Sequence, residues 1–133
     1  MNAPVLQVDG LVKHYHVRGQ AVRAVDGVSL SIGPGEVLGL VGESGSGKST
    51  IGKCVLRLTE PTAGSVHLGD RDITHLSRRA LRPLRRDVHM VFQDPYSSLN
   101  PRFTVGQIVA EPLRRHGVAQ GGQVGERVRA MLD

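Results

Sequence analysis

The chain has 133 residues, of which 39% are hydrophobic and 22% charged, and its formal net charge at pH 7 is +5. This length suits one domain with a hydrophobic core, and the composition excludes a disordered chain and a fibrous repeat. No stretch approaches the roughly 18 consecutive apolar residues that a membrane-spanning helix requires, and residues 1–10 lack the pattern of a secretion signal. The single cysteine, Cys54, forms no internal disulfide, so we expect a reducing, cytosolic compartment.

Arginines supply most of the excess positive charge, in a cluster at residues 78–86 and a pair at Arg114 and Arg115. A nucleic-acid site would require aromatic stacking residues or a recognition motif beside them, and the chain has only two tyrosines and two phenylalanines. We therefore interpret the cluster as a solvated helix face and expect no nucleic-acid partner. The six histidines have no metal-ligand spacing and are interpreted as surface or strand residues.

Two strands are predicted first in chain order. Residues 6–17 alternate apolar and polar side chains in part and are rich in β-branched residues, and residues 24–32 follow the same pattern more regularly. Residues 18–20 between them predict a hairpin loop. The tripeptide at residues 33–35 (GPG) predicts a turn that ends the second strand.

A strand, a glycine-rich loop and a helix are predicted next. Residues 37–41 (VLGLV) form a short apolar run, which is typical of a buried parallel strand. The glycine-rich residues 42–49 (GESGSGKS) follow at once. Apolar residues at helical spacing between Ile51 and Leu58 then predict a helix, which Pro61 ends.

The second half of the chain alternates between predicted strands, helices and loops. Residues 65–69 predict a strand, residues 76–87 a short basic helix, and residues 88–92 a second buried strand. Residues 93–102 are rich in Pro, Ser, Asn and Asp and predict a loop. Thr104 is a candidate N-cap for a helix to about Arg115. Another helical pattern covers residues 124–132.

The glycine-rich segment matches the P-loop pattern in the strand, loop and helix context that this motif requires. Its glycines allow successive backbone N–H groups to converge on phosphate oxygens, and the following helix adds its positive N-terminal end. Lys48 would reach the β- and γ-phosphates, the Ser49 hydroxyl would bind Mg²⁺, and Thr50 would contact the α-phosphate. The predicted ATP-binding residues of this segment are Gly42, Glu43, Ser44, Gly45, Ser46, Gly47, Lys48, Ser49 and Thr50.

Three segments together resemble the nucleotide-binding domain of ABC transporters. They are residues 24–30 (AVDGVSL), the P-loop, and residues 91–102 (VFQDPYSSLNPR). The last of these, with residues 104–113 (TVGQIVAEPL), is similar to the second ATP-binding subunit of oligopeptide and dipeptide importers. The resemblance implies that Gln93 is the Q-loop glutamine, which joins the Mg²⁺ shell and the catalytic machinery with Lys48. It also places Tyr15 where the family stacks an aromatic ring on adenine.

The resemblance implies an α/β fold, with a P-loop NTPase core and an N-terminal antiparallel β subdomain. It covers about the first half of the family's domain, so we expect residues 1–133 to be a partial domain that is cut off within the helical subdomain, which would start at about residue 97. Neither the signature sequence (LSGGQ), nor the Walker B glutamate, nor the switch histidine is present. The segment at residues 119–123 (AQGGQ) is interpreted as a variable loop, and these residues alone are expected to be inactive as an ATPase.

The function implied is an ATP-binding, energy-coupling subunit of an importer, using ATP and Mg²⁺. Its expected partners are a second ATP-binding subunit, transmembrane permease subunits and, indirectly, an extracytoplasmic substrate-binding protein. The expected location is the cytoplasmic face of the inner or plasma membrane, held there through the permease. Peptides are the favoured cargo, with nickel and glutathione as alternatives. A soluble ABC-type protein without transport, and a P-loop kinase or GTPase, are the competing hypotheses.

Overall fold

A computed structural model describes residues 3–94 and 98–133 of the chain. The chain divides into two compact units, Met1–Arg82 and Pro83–Asp133. Each unit has its own helices or strands and its own packing. Within the described residues, no helix is both long and apolar enough to cross a membrane.

The first unit is built on a four-stranded antiparallel sheet. Its strands are β1 (Leu6–Val17), β2 (Gln20–Ile32), β3 (Ala63–Leu68) and β4 (Arg71–Asp72), in the spatial order β2-β1-β3-β4. The three strands predicted at residues 6–17, 24–32 and 65–69 are therefore confirmed, and the N-terminal β subdomain is antiparallel as expected.

The hairpin between β1 and β2 turns on two residues. Val17 pairs with Gln20, and both Arg18 and Gly19 have positive φ angles, of 50° and 79°. This is the geometry of a two-residue type I′ turn, whose twist matches that of the flanking strands. Glycine takes the second position at little cost, which explains why the sequence signal for this loop is correct.

Helix α1 (Lys48–Val55) packs on this sheet through Ile51 and Cys54, which are buried together with Val8, Leu11, Val25 and Val66. The helix is followed by Arg57, which has a φ of 52° and is only 7% exposed. Its guanidinium donates to the Ile73 carbonyl at 3.0 Å and the Leu76 carbonyl at 3.4 Å. The end of the helix is thereby tied to the segment after β4.

A buried threonine closes the β3–β4 hairpin. The Thr74 hydroxyl accepts a hydrogen bond from the Val66 amide at 2.8 Å and donates to Asp72 Oδ1 at 2.5 Å, while the Thr74 amide donates to the same oxygen at 2.8 Å. Both bonds favour the ionised carboxylate. The hydrogen bond from the Thr74 side chain, followed by the one from its backbone, lowers the pKa of Asp72 below its ordinary value.

Because of the Asp72 carboxylate, the free energy of unfolding is expected to decrease at low pH. Since the pKa of this carboxylate is lower in the folded state, its contribution is fully present above the unfolded pKa of about 3.9 and is lost as pH falls through the folded value. Urea unfolding between about pH 5 and pH 2 should show a smaller loss of stability for Asp72→Asn than for the natural chain. Asp70→Asn, in the turn that joins β3 to β4, is the matched control. Equal losses for Asp72→Asn and the natural chain would contradict this assignment.

The predicted basic helix at residues 76–87 is divided in the structure. Helix α2 (Arg78–Leu81) is capped by the Ser77 hydroxyl, which accepts from the Ala80 amide, and a separate 3₁₀ helix covers Pro83–Arg86 in the second unit. Pro83 has no N–H group with which to continue the α-helical hydrogen bonds, so the regular helix ends before it.

The second unit contains helices α3 (Val105–Arg115) and α4 (Gln123–Leu132). Thr104 caps α3 as predicted: its hydroxyl accepts from the Gln107 amide, and the Gln107 side chain accepts from the Thr104 amide. The helix continues through Pro112 to Arg115. The two helices pack through a buried apolar cluster of Ala110, Leu113, Ala119, Val124 and Val128.

The predictions of a buried parallel strand at residues 37–41 and of a second buried strand at residues 88–92 are wrong. Residues 37–41 and 88–92 have no strand structure, and Val37, Val41 and Val91 are 93%, 99% and 96% exposed. A parallel strand needs hydrogen-bonded neighbours and cover on both faces. The described part of the sheet contains antiparallel pairs alone, and no strand of it pairs with either apolar run. The apolar pattern shows that the side chains of these two runs favour burial, but the described residues provide no cover for them.

Candidate functional site

The P-loop leads directly into the N-terminus of helix α1. Gly47 is the N-cap residue and makes no side-chain capping bond, and the first turn of the helix holds no acidic residue. The amides at the start of a helix have no partner within the helix, and the helix dipole gives this end a partial positive charge. The start of the helix therefore presents backbone donors that have no partner within the helix and no acidic side chain in its first turn, which is the chemistry of an anion site.

The Lys48 ammonium is held by hydrogen bonds to the loop itself. It donates to the Gly42 carbonyl at 2.7 Å, the Glu43 carbonyl at 2.6 Å and the Ser46 hydroxyl at 3.1 Å. All three partners are neutral oxygens, so the positive charge is held in place without being neutralised. Lys48 is half-buried and Ser49, next to it, is exposed.

The loop is pressed against strand β2 at Gly47. A β-carbon placed on Gly47 would lie 2.2 Å from the Ala24 carbonyl oxygen and 3.6 Å from Val25 Cγ2, and the φ of Gly47 is 94°. Strand β2 bulges at this point, because Lys13 pairs with Val25 and His14 with Arg23, which leaves Ala24 as the extra residue. The bulge thus carries a backbone carbonyl to the loop, and only glycine fits opposite it.

Tyr15 lies on strand β1 in the same unit as the P-loop. It is half-buried, and the Lys13 ammonium lies 5.0 Å from the centroid of its ring. Side chains two residues apart on a strand share a face, and directly paired residues of antiparallel strands share it too. Lys13 pairs with Val25, whose side chain approaches Gly47. Tyr15 and Lys13 therefore share the sheet face that meets the P-loop.

Gln93 lies in the second unit, where it is exposed at a bend. Tyr15 and residues 42–50 lie in the first unit, and the structure does not describe residues 95–97, which carry part of the predicted Q-loop sequence. The assignment of Gln93 therefore stays a prediction from the sequence. Among the described residues, no group of three or more His, Cys, Asp and Glu side chains could hold a metal ion.

Two features of the site escaped the sequence analysis. The Ala24 carbonyl contact has no sequence signal, since it depends on a backbone atom and on a bulge. Lys13 had a weak signal, because a cation two residues before Tyr15 on a predicted strand shares its face. A search of strand faces for cations beside the aromatic residue would have found it.

Comparison with protein families gives a match to the ABC transporter family over residues 25–132. The chain belongs to this family. The match covers most of the chain and decides against the P-loop kinase and GTPase hypotheses. The expected α/β fold of an ABC nucleotide-binding domain is confirmed by solved structures: the chain superposes on the dimeric MJ0796, a bacterial ABC transporter cassette, with a TM-score of 0.82 and 31% identity over 94% of this chain and 53% of that one.

A second MJ0796 structure, of a dimeric post-hydrolysis state of the ATP-binding cassette bound to ADP and Pi, gives a TM-score of 0.81 at 30% identity. It covers 94% of this chain and 54% of that one. Among curated proteins, a provisionally named peptide import ATP-binding protein of Brucella ovis is 48% identical over 98% of this chain. The glutathione import ATP-binding protein GsiA of Salmonella paratyphi A is 47% identical over 98% of this chain. The chain spans 41% of the Brucella relative and 22% of GsiA.

Proposed function

We propose that this chain is part of the ATP-binding, energy-coupling subunit of an ABC importer, most consistent with uptake of di- or oligopeptides. The observation that carries the proposal is the Lys48 ammonium, held by the Gly42 and Glu43 carbonyls at the N-terminus of α1. A full positive charge beside unpaired helix amides favours a polyphosphate over an uncharged ligand.

The residues present fit ATP with Mg²⁺. The amides of residues 42–50 and the Lys48 ammonium would hold the phosphates, and the Ser49 hydroxyl would supply an oxygen ligand of the kind that Mg²⁺ prefers. The resemblance to the family adds Gln93 to the Mg²⁺ ligands. When bound, Mg²⁺ neutralises charge on the phosphates and orients them. During transfer of the terminal phosphoryl group to water, Lys48 and the loop amides stabilise the negative charge that develops on its oxygens.

Tyr15 is proposed to stack its ring on the adenine base. Stacking of an aromatic ring on a base contributes on the order of 1–3 kcal/mol in single-stranded nucleic-acid complexes. Tyr15 is half-buried on the sheet face that meets the P-loop, which supports a contact with a base whose phosphates lie on residues 42–50.

Peptide cargo is supported by the relatives named for peptide import in four Brucella species. Relatives named for glutathione import are almost as similar, at 47% against 48% identity. Glutathione is itself a small peptide, so both sets of names are consistent with a peptide-like cargo. Nickel is the remaining alternative from the sequence.

The partners proposed are a second ATP-binding subunit and the permease subunits, with a substrate-binding protein acting through the permease. The dimeric cassette structures support the first of these. This arrangement would hold the protein peripherally at the cytoplasmic face of the membrane. Residues 1–133 contain neither the signature sequence nor the Walker B glutamate, so by themselves they would hydrolyse ATP at a negligible rate. The helical subdomain would begin in the second unit, at about residue 97.

Gln93→Ala in the full-length protein, assembled with its permease, tests the coupling function. The variant should keep most of its ATP affinity, because the P-loop is untouched, while transport per ATP hydrolysed should fall or both rates should slow together. Transport into vesicles and phosphate release are measured on the same preparation. Gln107→Ala, a glutamine of the α3 capping box, is the control for loss of local structure.

Wild-type rates and coupling in Gln93→Ala would remove the Q-loop role. The alternative function, a soluble ABC-type protein without transport, is tested by the same purification. That alternative is favoured if the protein separates from the permease and instead sediments with ribosomes or DNA.

A further inference from the structure

We propose that Lys13 is a positioning residue for nucleotide binding, whose ammonium holds the Tyr15 ring in the orientation that receives the base. The inference rests on the proposed function and adds a residue to it. The ammonium lies 5.0 Å from the ring centroid, inside the distance of about 6 Å at which a cation is attracted to an aromatic face. The ammonium thereby covers one face of the ring, and we assign the base to the other face.

The backbone of both strands fixes this arrangement. Lys13 pairs with Val25, and Val25 Cγ2 would lie 3.6 Å from a β-carbon on Gly47. Lys13 is therefore anchored beside the contact between β2 and the P-loop, two residues from Tyr15 on the same face. Without the charge, the half-buried ring would be free to sample its other side-chain rotamers.

Burial raises the pKa of the Cys54 thiol, and the charges of Lys13 and then Arg57 oppose that rise. Lys13 is thus close to helix α1 as well as to the ring. A ligand that lacks the base is therefore needed to separate a contact with the ring from a contact with the phosphates.

The test uses the full-length protein and two ligands, ATP and inorganic tripolyphosphate, which lacks the base. Lys13→Met, which removes the charge and keeps the chain length, should weaken ATP binding about two- to fivefold and leave tripolyphosphate binding unchanged. Lys13→Arg should restore most of the ATP affinity, because arginine also binds aromatic faces. Lys53→Met removes an exposed charge from α1 and is the matched control.

Tyr15→Leu completes a double-mutant cycle. If the two residues act as a unit, Lys13→Met should cause no further loss of ATP affinity in the Tyr15→Leu background. An equal loss for tripolyphosphate, or a loss that persists without the ring, would overturn the inference. If Tyr15→Leu weakens ATP binding and Lys13→Met does not, the proposed role of Lys13 falls and the base contact of Tyr15 remains. If Tyr15→Leu leaves ATP affinity unchanged, the proposed base contact falls as well.

Discussion

Replacing Lys48 by alanine in the full-length protein should abolish ATP-driven transport and reduce ATP hydrolysis by roughly 10²–10³-fold, the loss typical of removing one preorganised donor to a developing charge. Lys48 is the cation that the loop holds with three neutral oxygens, from Gly42, Glu43 and Ser46. Alanine would leave the backbone amides in place but remove the full charge that reaches the terminal phosphates.

Transport and hydrolysis should be measured beside equilibrium binding of ATP, so that loss of binding is separated from loss of the chemical step. Lys53→Ala is the matched control, because it removes a lysine from the same helix at an exposed position in its last turn. We expect nearly normal rates for this control. Full activity of Lys48→Ala would contradict the P-loop assignment.

Gly47→Ala is expected to lower the free energy of unfolding by at least about 2 kcal/mol and to weaken ATP binding. The positive φ of Gly47 alone costs a residue with a β-carbon about 1–2 kcal/mol. The new methyl group would also lie 2.2 Å from the Ala24 carbonyl oxygen, which is backbone and cannot rotate away. Strand β2 and the loop would have to separate, and the start of α1 would move with the loop.

Gly52→Ala is the control for this prediction. Gly52 lies inside α1 and a β-carbon there would meet no atom within 4 Å, so alanine should stabilise the protein by about 0.5–1 kcal/mol. Urea unfolding and ATP titration of both variants provide the comparison. If Gly47→Ala is as stable as the natural protein and binds ATP equally well, the close contact between β2 and the loop does not exist in solution.

The elements that were predicted correctly are those whose cause is local. The type I′ turn needs only Gly19 after Arg18, and helix α3 begins where Thr104 and Gln107 can cap it reciprocally. The P-loop is local in the same sense, since its glycines, lysine and helix start lie within nine consecutive residues. Such features can be predicted without knowledge of what packs around them.

The elements that were missed depend on distant parts of the chain. Residues 37–41 have the apolar pattern of a buried strand, but a strand forms only when another strand offers its N–H and C=O groups. No described strand does so. The bulge at Ala24 is likewise set by the register between β1 and β2.

The sequence by itself determined the family, the phosphate-binding loop and the residues assigned to it, because these are encoded in short runs of residue types with fixed spacing. Only the tertiary structure decided that Ala24 contacts Gly47 and that Lys13 covers Tyr15. The physical reason is that the first contact depends on the register of β1 with β2, and the second on the side-chain rotamers that place the Lys13 ammonium over a ring two residues along the same strand. A bulge shifts the pairing of β1 with β2 by one residue without leaving a mark in the apolar pattern.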